Sequence, residues 1–198
     1  IDANINISGG IVRINAEGDG VDSNGYFTMS GGELYVTGPV SGGDAPIDYG
    51  IDAAIHGGIV VAAGQGNMAQ SFGSDSTQGT IMVNTQQQNE AGSDIVLLDS
   101  KGSELITWTM EKSYNSVVIS CPEIKDGGSY TVKTSSVSTE VVMDGLVYGG
   151  SFGFGGGRNF MKGERPEGER PKGERPEGAS DHPRTGKGDR PEGMLENH

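Results

Sequence analysis

The chain holds one cysteine, one tryptophan and, across its first 79 residues, one basic side chain, Arg13. Cys121 alone can form no internal disulfide and builds no thiolate metal site. Aromatic residues at 6% leave little material for a thick core of bulky rings. No apolar run reaches membrane-spanning length, so no segment reads as a transmembrane helix. The scarcity of bases is regional. Residues 1–157 carry 18 acids against five bases, and residues 158–198 carry nine of each, so the net charge of -13 resides in the first part. Such a surface repels nucleic acid and anionic lipid and concentrates cations.

Glycine is in excess, at 35 residues. Inside a helix it costs about 0.5–1 kcal/mol relative to alanine, so this abundance favours turns and strands. Its placement is periodic. Gly-Gly pairs fall at 9–10, 31–32 and 57–58, spacings of 22 and then 26 residues. Periods of this size mark solenoids, in which each unit buries its apolar face only against its neighbours. After each pair comes a β-type run (Ile11–Ile14, Leu34–Val36, Ile59–Val61), and before each comes another (Ile5–Ile7, Phe27–Met29, Ile51–Ile55). Length and β-branched content make these strands. Two or three strands per coil, glycine corners and no amphipathic helix predict an all-β protein with parallel β-helix coils over residues 1–84. The chain opens at Ile1 in mid-pattern, and further β-helix coils upstream are expected as its neighbours.

The repeat fades after Val83. "QQQNEAGSD" (86–94) reads as a polar connection, followed by runs at 95–98, 105–109, 116–120, 130–133 and 140–143 between turn signals such as "DSKG" and "KDGG". Their even spacing predicts antiparallel strands, a small β cap over 85–148 that closes the coils. Residues 149–198 pass from a glycine-rich linker into "GERPEGERPKGERPEG". A segment with alternating charge, proline and no apolar residue cannot offset its ordering entropy, which predicts a disordered tail.

The candidate chemistry lies in the corners. Asp19, Asp22 and Asn24 precede the strand that begins at Tyr26, and Asp44 and Asp48 hold the corresponding place one coil later. Calcium takes about six to eight hard oxygen ligands, which carboxylates, Asn carbonyls and turn carbonyls supply; a solvated polar turn is the competing reading. "GDGVD" opens like a calcium-binding nonapeptide repeat but puts Asn24 where an apolar residue belongs, and no Glu completes an EF-hand. Tyr26, Tyr35 and Tyr49 are candidate sugar-stacking rings, or else ordinary strand tyrosines. His56 stands at a corner where the other coils have serine, and reads as structural. Cys121 reads as a small filler. Met68 and Phe72 are expected to plug the solenoid end. Arg13 is the one basic group in the coils that could take a proton from a uronate, so catalysis is not expected of this chain.

The stretches "GDGVDSNGYFTMSGGELYVTGP", "GIDAAIHGGIVVAAGQGNMAQSF", "STQGTIMVN" and "SVVISCPEIKDGGSYTV" resemble, in order, a bacterial family of carbohydrate-binding domain-containing proteins. "GGDAPIDYG" departs from that family's polar loop at Pro46 and Tyr49. The resemblance implies a right-handed parallel β-helix, Ca2+ as the bound ion and an extracellular or cell-surface location. The expected function is non-catalytic, calcium-dependent binding of a plant cell-wall polysaccharide, cellulose or an acidic pectin-like chain. A uronate lyase and a structural, adhesin-like stalk are the alternatives.

Overall fold

The computed structural model describes residues 3–150, which are all-β, with no helix among them. The expected tail, from residue 151 on, lies outside the described residues. The strands are β1 (Asn4–Ile7), β2 (Ile11–Asn15), β3 (Val21–Ser23), β4 (Tyr26–Met29), β5 (Glu33–Thr37), β6 (Ile47–Tyr49), β7 (Asp52–Ile55), β8 (Ile59–Gly64), β9 (Thr80–Asn89), β10 (Asp94–Asp99), β11 (Glu104–Thr109), β12 (Tyr114–Ser120), β13 (Ser129–Lys133), β14 (Ser138–Val142) and β15 (Val147–Tyr148).

The Gly-Gly spacing reappears as strand register. β1, β4 and β7 form one parallel sheet, β2, β5 and β8 pair in parallel, and β3 pairs with β6 in parallel. Ile11 lies opposite Glu33, 22 residues on, and Glu33 lies opposite Ile59, 26 residues on. The corners explain the glycines. Gly10, Gly32 and Gly58 all have positive φ, at 79°, 89° and 105°. A Cβ on Gly32 would stand 2.7 Å from the Gly10 carbonyl oxygen. The same corner carries the stacking bonds from Glu33 N–H to Gly10 O and from Ile59 N–H to Gly32 O, each 2.9 Å.

The parallel ladder does not end at β8. β12 and then β9 add to it antiparallel, and β15 joins β9 in parallel, giving the six-stranded order β15-β9-β12-β8-β5-β2. Successive strand side chains point to opposite faces, and along β8, β12 and the first half of β9 both faces are buried. Val60, Ala62, Met82 and Val118 enter a core shared with Phe27, Met29, Ile55, Val21 and Ile47 from the short parallel sheets. Val61, Ala63, Ile81, Val83, Val117 and Ile119 enter a second core beneath the antiparallel sheet β11-β10-β13-β14, whose Ile95, Leu97, Val132 and Val141 close it. This double burial explains why β8, "IVVAAG", is an unbroken apolar run rather than an alternating one. Each large side chain fully buried in this way contributes about 1.5–3 kcal/mol.

The antiparallel strands therefore do two jobs, where a single end cap was expected: β9 and β12 extend the sheet of β2, β5 and β8, and β10, β11, β13 and β14 cover its outer face. The division expected at residue 84 falls inside β9, and the described residues lie within one compact unit. "QQQN" is the end of β9, held by pairing of Asn89 with Tyr114. The turn before β12 also grips the end of β2 and the residues after it. Asn15 donates to Glu111 at 2.7 Å, and Lys112 donates to Ala16 O and pairs with Glu17, both at 2.8 Å.

Residues 65–79 run along the free side of β7 without forming a strand. Gly73 N–H donates to Ala53 O, Thr77 N–H to Ile55 O, and Ile55 N–H to Ser76 Oγ. Phe72 is buried against Phe27, with ring centroids 5.4 Å apart. Met68, expected to share that plug, is 44% exposed, and the neighbouring Ala69 is buried instead. At the opposite end cover is thinner. Ile5, Ile7, Val12 and Ile14 are only partly buried, although they stand in register with the fully buried Phe27, Met29, Leu34 and Val36.

Candidate functional site

The acidic corners are strands as well as turns. β3 and β6 form a two-stranded parallel ladder, in which Val21 and Ile47 point into the core and Asp22 and Asp48 between them face outward, directly opposite one another. Adjacent strands lie about 4.8 Å apart, so the two carboxylates form a like-charge rung. Asp22 is exposed and Asp48 is half-buried. Partial burial, then the charges of Asp19 and Asp22, push the Asp48 carboxyl above its usual range, against a lowering hydrogen bond from the Tyr49 backbone.

The other expected ligands have separate duties. Asp19 Oδ1 accepts the Ala45 N–H at 2.7 Å, tying the turn before β3 to the turn before β6. Asp44 accepts the Ser41 hydroxyl at 2.9 Å within its own turn and is not among the charges that raise Asp48. Asn24 lies beyond the end of β3, exposed, with its backbone carbonyl stacked over Gly50. Among the described residues no three Asp, Glu, His or Cys side chains gather as a group able to hold a metal ion. The five residues Asp19, Asp22, Asn24, Asp44 and Asp48 are thus not one coordination sphere. Pairing reaches only Asp22 and Asp48, with Asp19 as a neighbouring charge, because Asp44 sits in the connection between β5 and β6, which is longer than the one between β2 and β3.

The three tyrosines also diverge. Tyr26 is 40% exposed at the start of β4. Tyr49 is clasped: its backbone N–H donates to Gln70 Oε1 at 2.7 Å and its hydroxyl donates to Ser71 O at 2.7 Å. Tyr35 stacks on Trp108, and its hydroxyl donates to Glu33 at 3.0 Å. Burial and the Glu33 carboxylate raise the Tyr35 phenol, and Arg13 opposes them. Arg13 lies over both rings, 5.5 Å from Tyr35 and 5.7 Å from Trp108, a placement that engages it in cation–π contact.

His56 is exposed at its corner and shares a 3.1 Å hydrogen bond with Thr77. Cys121 is buried at a strand end, its thiol pushed up to about 11 mainly by desolvation. A thiol in that state is a poor nucleophile near neutral pH.

One feature of the surface escaped the reading of the sequence. Gly66, Asn67, Asn84, Gln86 and Asn115 line a cleft of about 530 Å³ where β8, β9 and β12 leave the six-stranded sheet. The polar tract 84–89 carries its signal, but only pairing with β12 brings Asn115 beside it. No family model, curated protein or solved structure matches the chain.

Proposed function

We propose that this chain is a non-catalytic polysaccharide-binding protein of the bacterial cell surface or exterior, built on coils of a right-handed parallel β-helix. The common register of the three parallel ladders supports the coil reading. The observation that carries the binding reading is the Asp22–Asp48 rung, a pair of carboxylates fixed side by side on an acidic surface and made costly by their own proximity. A divalent cation relieves that cost. Two carboxylates fill only part of a Ca2+ shell of about six to eight oxygens. The remaining positions fall to water and to oxygens of the ligand, which favours a carboxylate-bearing polysaccharide. Asp22 and Asp48 would hold the ion, Asp19 would add its charge, and Tyr26 is the exposed ring nearest in sequence.

Calorimetric titration with Ca2+, and retention on insoluble polygalacturonate with Ca2+ or with EDTA, test this reading. Binding that needs Ca2+ and disappears in the Asp22→Asn, Asp48→Asn double variant is expected. Equal retention with Ca2+ and with EDTA overturns the calcium link.

A further inference from the structure

We propose a second, cation-independent site: the carboxamide-lined cleft at Gly66, Asn67, Asn84, Gln86 and Asn115 binds an uncharged, hydroxyl-rich ligand, one or two neutral sugar units. Asp22 and Asp48 do not line this cleft, so it stands or falls apart from the calcium reading.

The lining is chemically uniform. Among the described residues the four side chains that line it are all carboxamides, and none ionises. A carboxamide presents an acceptor oxygen and two N–H donors, the complement of a hydroxyl that both gives and takes a hydrogen bond. Among the described lining residues an anion would find no cation, and it would approach a chain of net charge -13. A cation would find no carboxylate among the lining residues. A volume of about 530 Å³ lies within the range of small-ligand clefts.

The cleft is also built rather than incidental. Between the pairs Asn84–Ser116 and Asn89–Tyr114, residues 85–88 stand opposite Asn115 alone, so β9 bulges out of its ladder. Bulges beside binding sites re-aim side chains, and this one sets Gln86 in the cleft lining with φ 58°, the one positive φ of a non-glycine among the described residues. Such a conformation costs about 1–3 kcal/mol and persists only where its surroundings impose it. The surroundings are a buried network. Thr85 Oγ1 donates to Gln87 O at 2.6 Å, and Asn89 Nδ2 donates to Thr85 Oγ1 at 3.1 Å and to Tyr114 O at 3.3 Å.

The amides are oriented too. Gly66 N–H donates to Asn115 Oδ1 at 2.7 Å, which fixes that oxygen and turns the Asn115 NH2 elsewhere. Asn84 Oδ1 is shielded from solvent and has no hydrogen-bond partner. An acceptor left so is costly, and this cost sits in the same cleft lining as the positive φ of Gln86. Gly66 keeps the space open: a Cβ there would lie 3.0 Å from Asn84 Oδ1 and 3.2 Å from Asn115 Oδ1.

The test is an NMR titration of the full, isotope-labelled chain in EDTA with cellotriose, mannotriose, xylotriose and trigalacturonate. The expected result is saturable shifts of the side-chain amide signals of Asn67, Asn84, Gln86 and Asn115 with at least one neutral trisaccharide, at a Kd of about 1 mM. Asn67→Ala, at an exposed position, and Gln86→Gly, which accepts the positive φ, should each weaken binding at least about fivefold while leaving Tm unchanged or higher. Three results overturn the proposal: no saturable shift with any neutral trisaccharide, shifts that ignore both variants, or trigalacturonate binding more tightly than all three. Loss of Ca2+-dependent retention leaves this site untouched, and loss of this site leaves that retention in place.

Discussion

Tyr35 of β5 and Trp108 of β11 stack ring on ring, their centroids 3.9 Å apart and their planes 15° apart. The pair joins the six-stranded sheet to the four-stranded antiparallel sheet, and Arg13 lies against both rings. Stacked aromatics contribute about 0.5–1.5 kcal/mol beyond the area they bury. A urea-denaturation cycle of Tyr35→Ala, Trp108→Ala and the double variant should therefore give a coupling of about 1 kcal/mol. Trp108 is the single tryptophan, so Tyr35→Ala should also red-shift the fluorescence. Strict additivity with unchanged emission would contradict the contact.

The stacked corners make glycine substitutions unequal. Gly32 combines φ 89° with backbone atoms 2.7 Å from a would-be Cβ, whereas Gly9 has open space around it. Gly32→Ala should cost at least about 2 kcal/mol, since both the left-handed backbone and the clash must be relieved. Gly9→Ala should change stability by no more than about 0.5 kcal/mol. Thermal melts of the two variants make the comparison, and equal losses would count against the stacked corner.

Asp48 gives the protein a pH dependence of definite sign. Its folded-state carboxyl is raised by burial, Asp19 and Asp22. The native state therefore holds that proton more tightly than the unfolded chain. The group's contribution to stability is greatest below the ordinary aspartate range and is lost as pH rises through the raised folded value. Asp48→Asn should stabilise the chain at pH 7 by about 0.2–1 kcal/mol, the usual size of a like-charge cross-strand penalty. That gain should vanish below about pH 3.5, beneath the ordinary aspartate value. Melting temperatures of both forms across that range, in EDTA, supply the measurement; a gain that persists in acid would assign the effect to something other than charge.

Cys121 should be silent in the folded protein. It is 1% exposed and its thiol is pushed up to about 11. Ellman's reagent at pH 8 should label it only as fast as the chain unfolds, and promptly in strong denaturant. Prompt labelling of the native chain would place the thiol at the surface.

The repeat was legible in the sequence because sterics wrote it there. Gly10, Gly32 and Gly58 each occupy a conformation and a contact that other residues resist, so their spacing survives as a pattern. The strands flanking them followed from β-branched content. The end of β9 was illegible for the opposite reason: its glutamines carry no apolar alternation, and its place in the sheet depends on Tyr114 and Ser116, which are remote in sequence. The role of β12 was hidden likewise, since a buried strand reads the same whether it caps a coil or extends one. At the site, equivalence of position brought Asp22 and Asp48 together, but loop length decided the rest. Asp44 is spent on Ser41, a local bond that spacing between coils does not reveal.

The thin cover of β1 and β2 gives residues 3–150, taken by themselves, a direction. Each inner rung of a stacked sheet is held by neighbours on two sides, and nearest-neighbour contacts set its stability. Among the described residues, β1 and β2 are each held on one side alone. Amide hydrogens of Ile5 to Ile7 and of Val12 to Ile14 should exchange first, those of β4 and β5 later, and those of β8, flanked by β5 and β12, near the global limit. Opening then travels from Asn4 towards Ala62 as a zipper, and the Asp22–Asp48 rung loosens before the amide cleft beside β12 does.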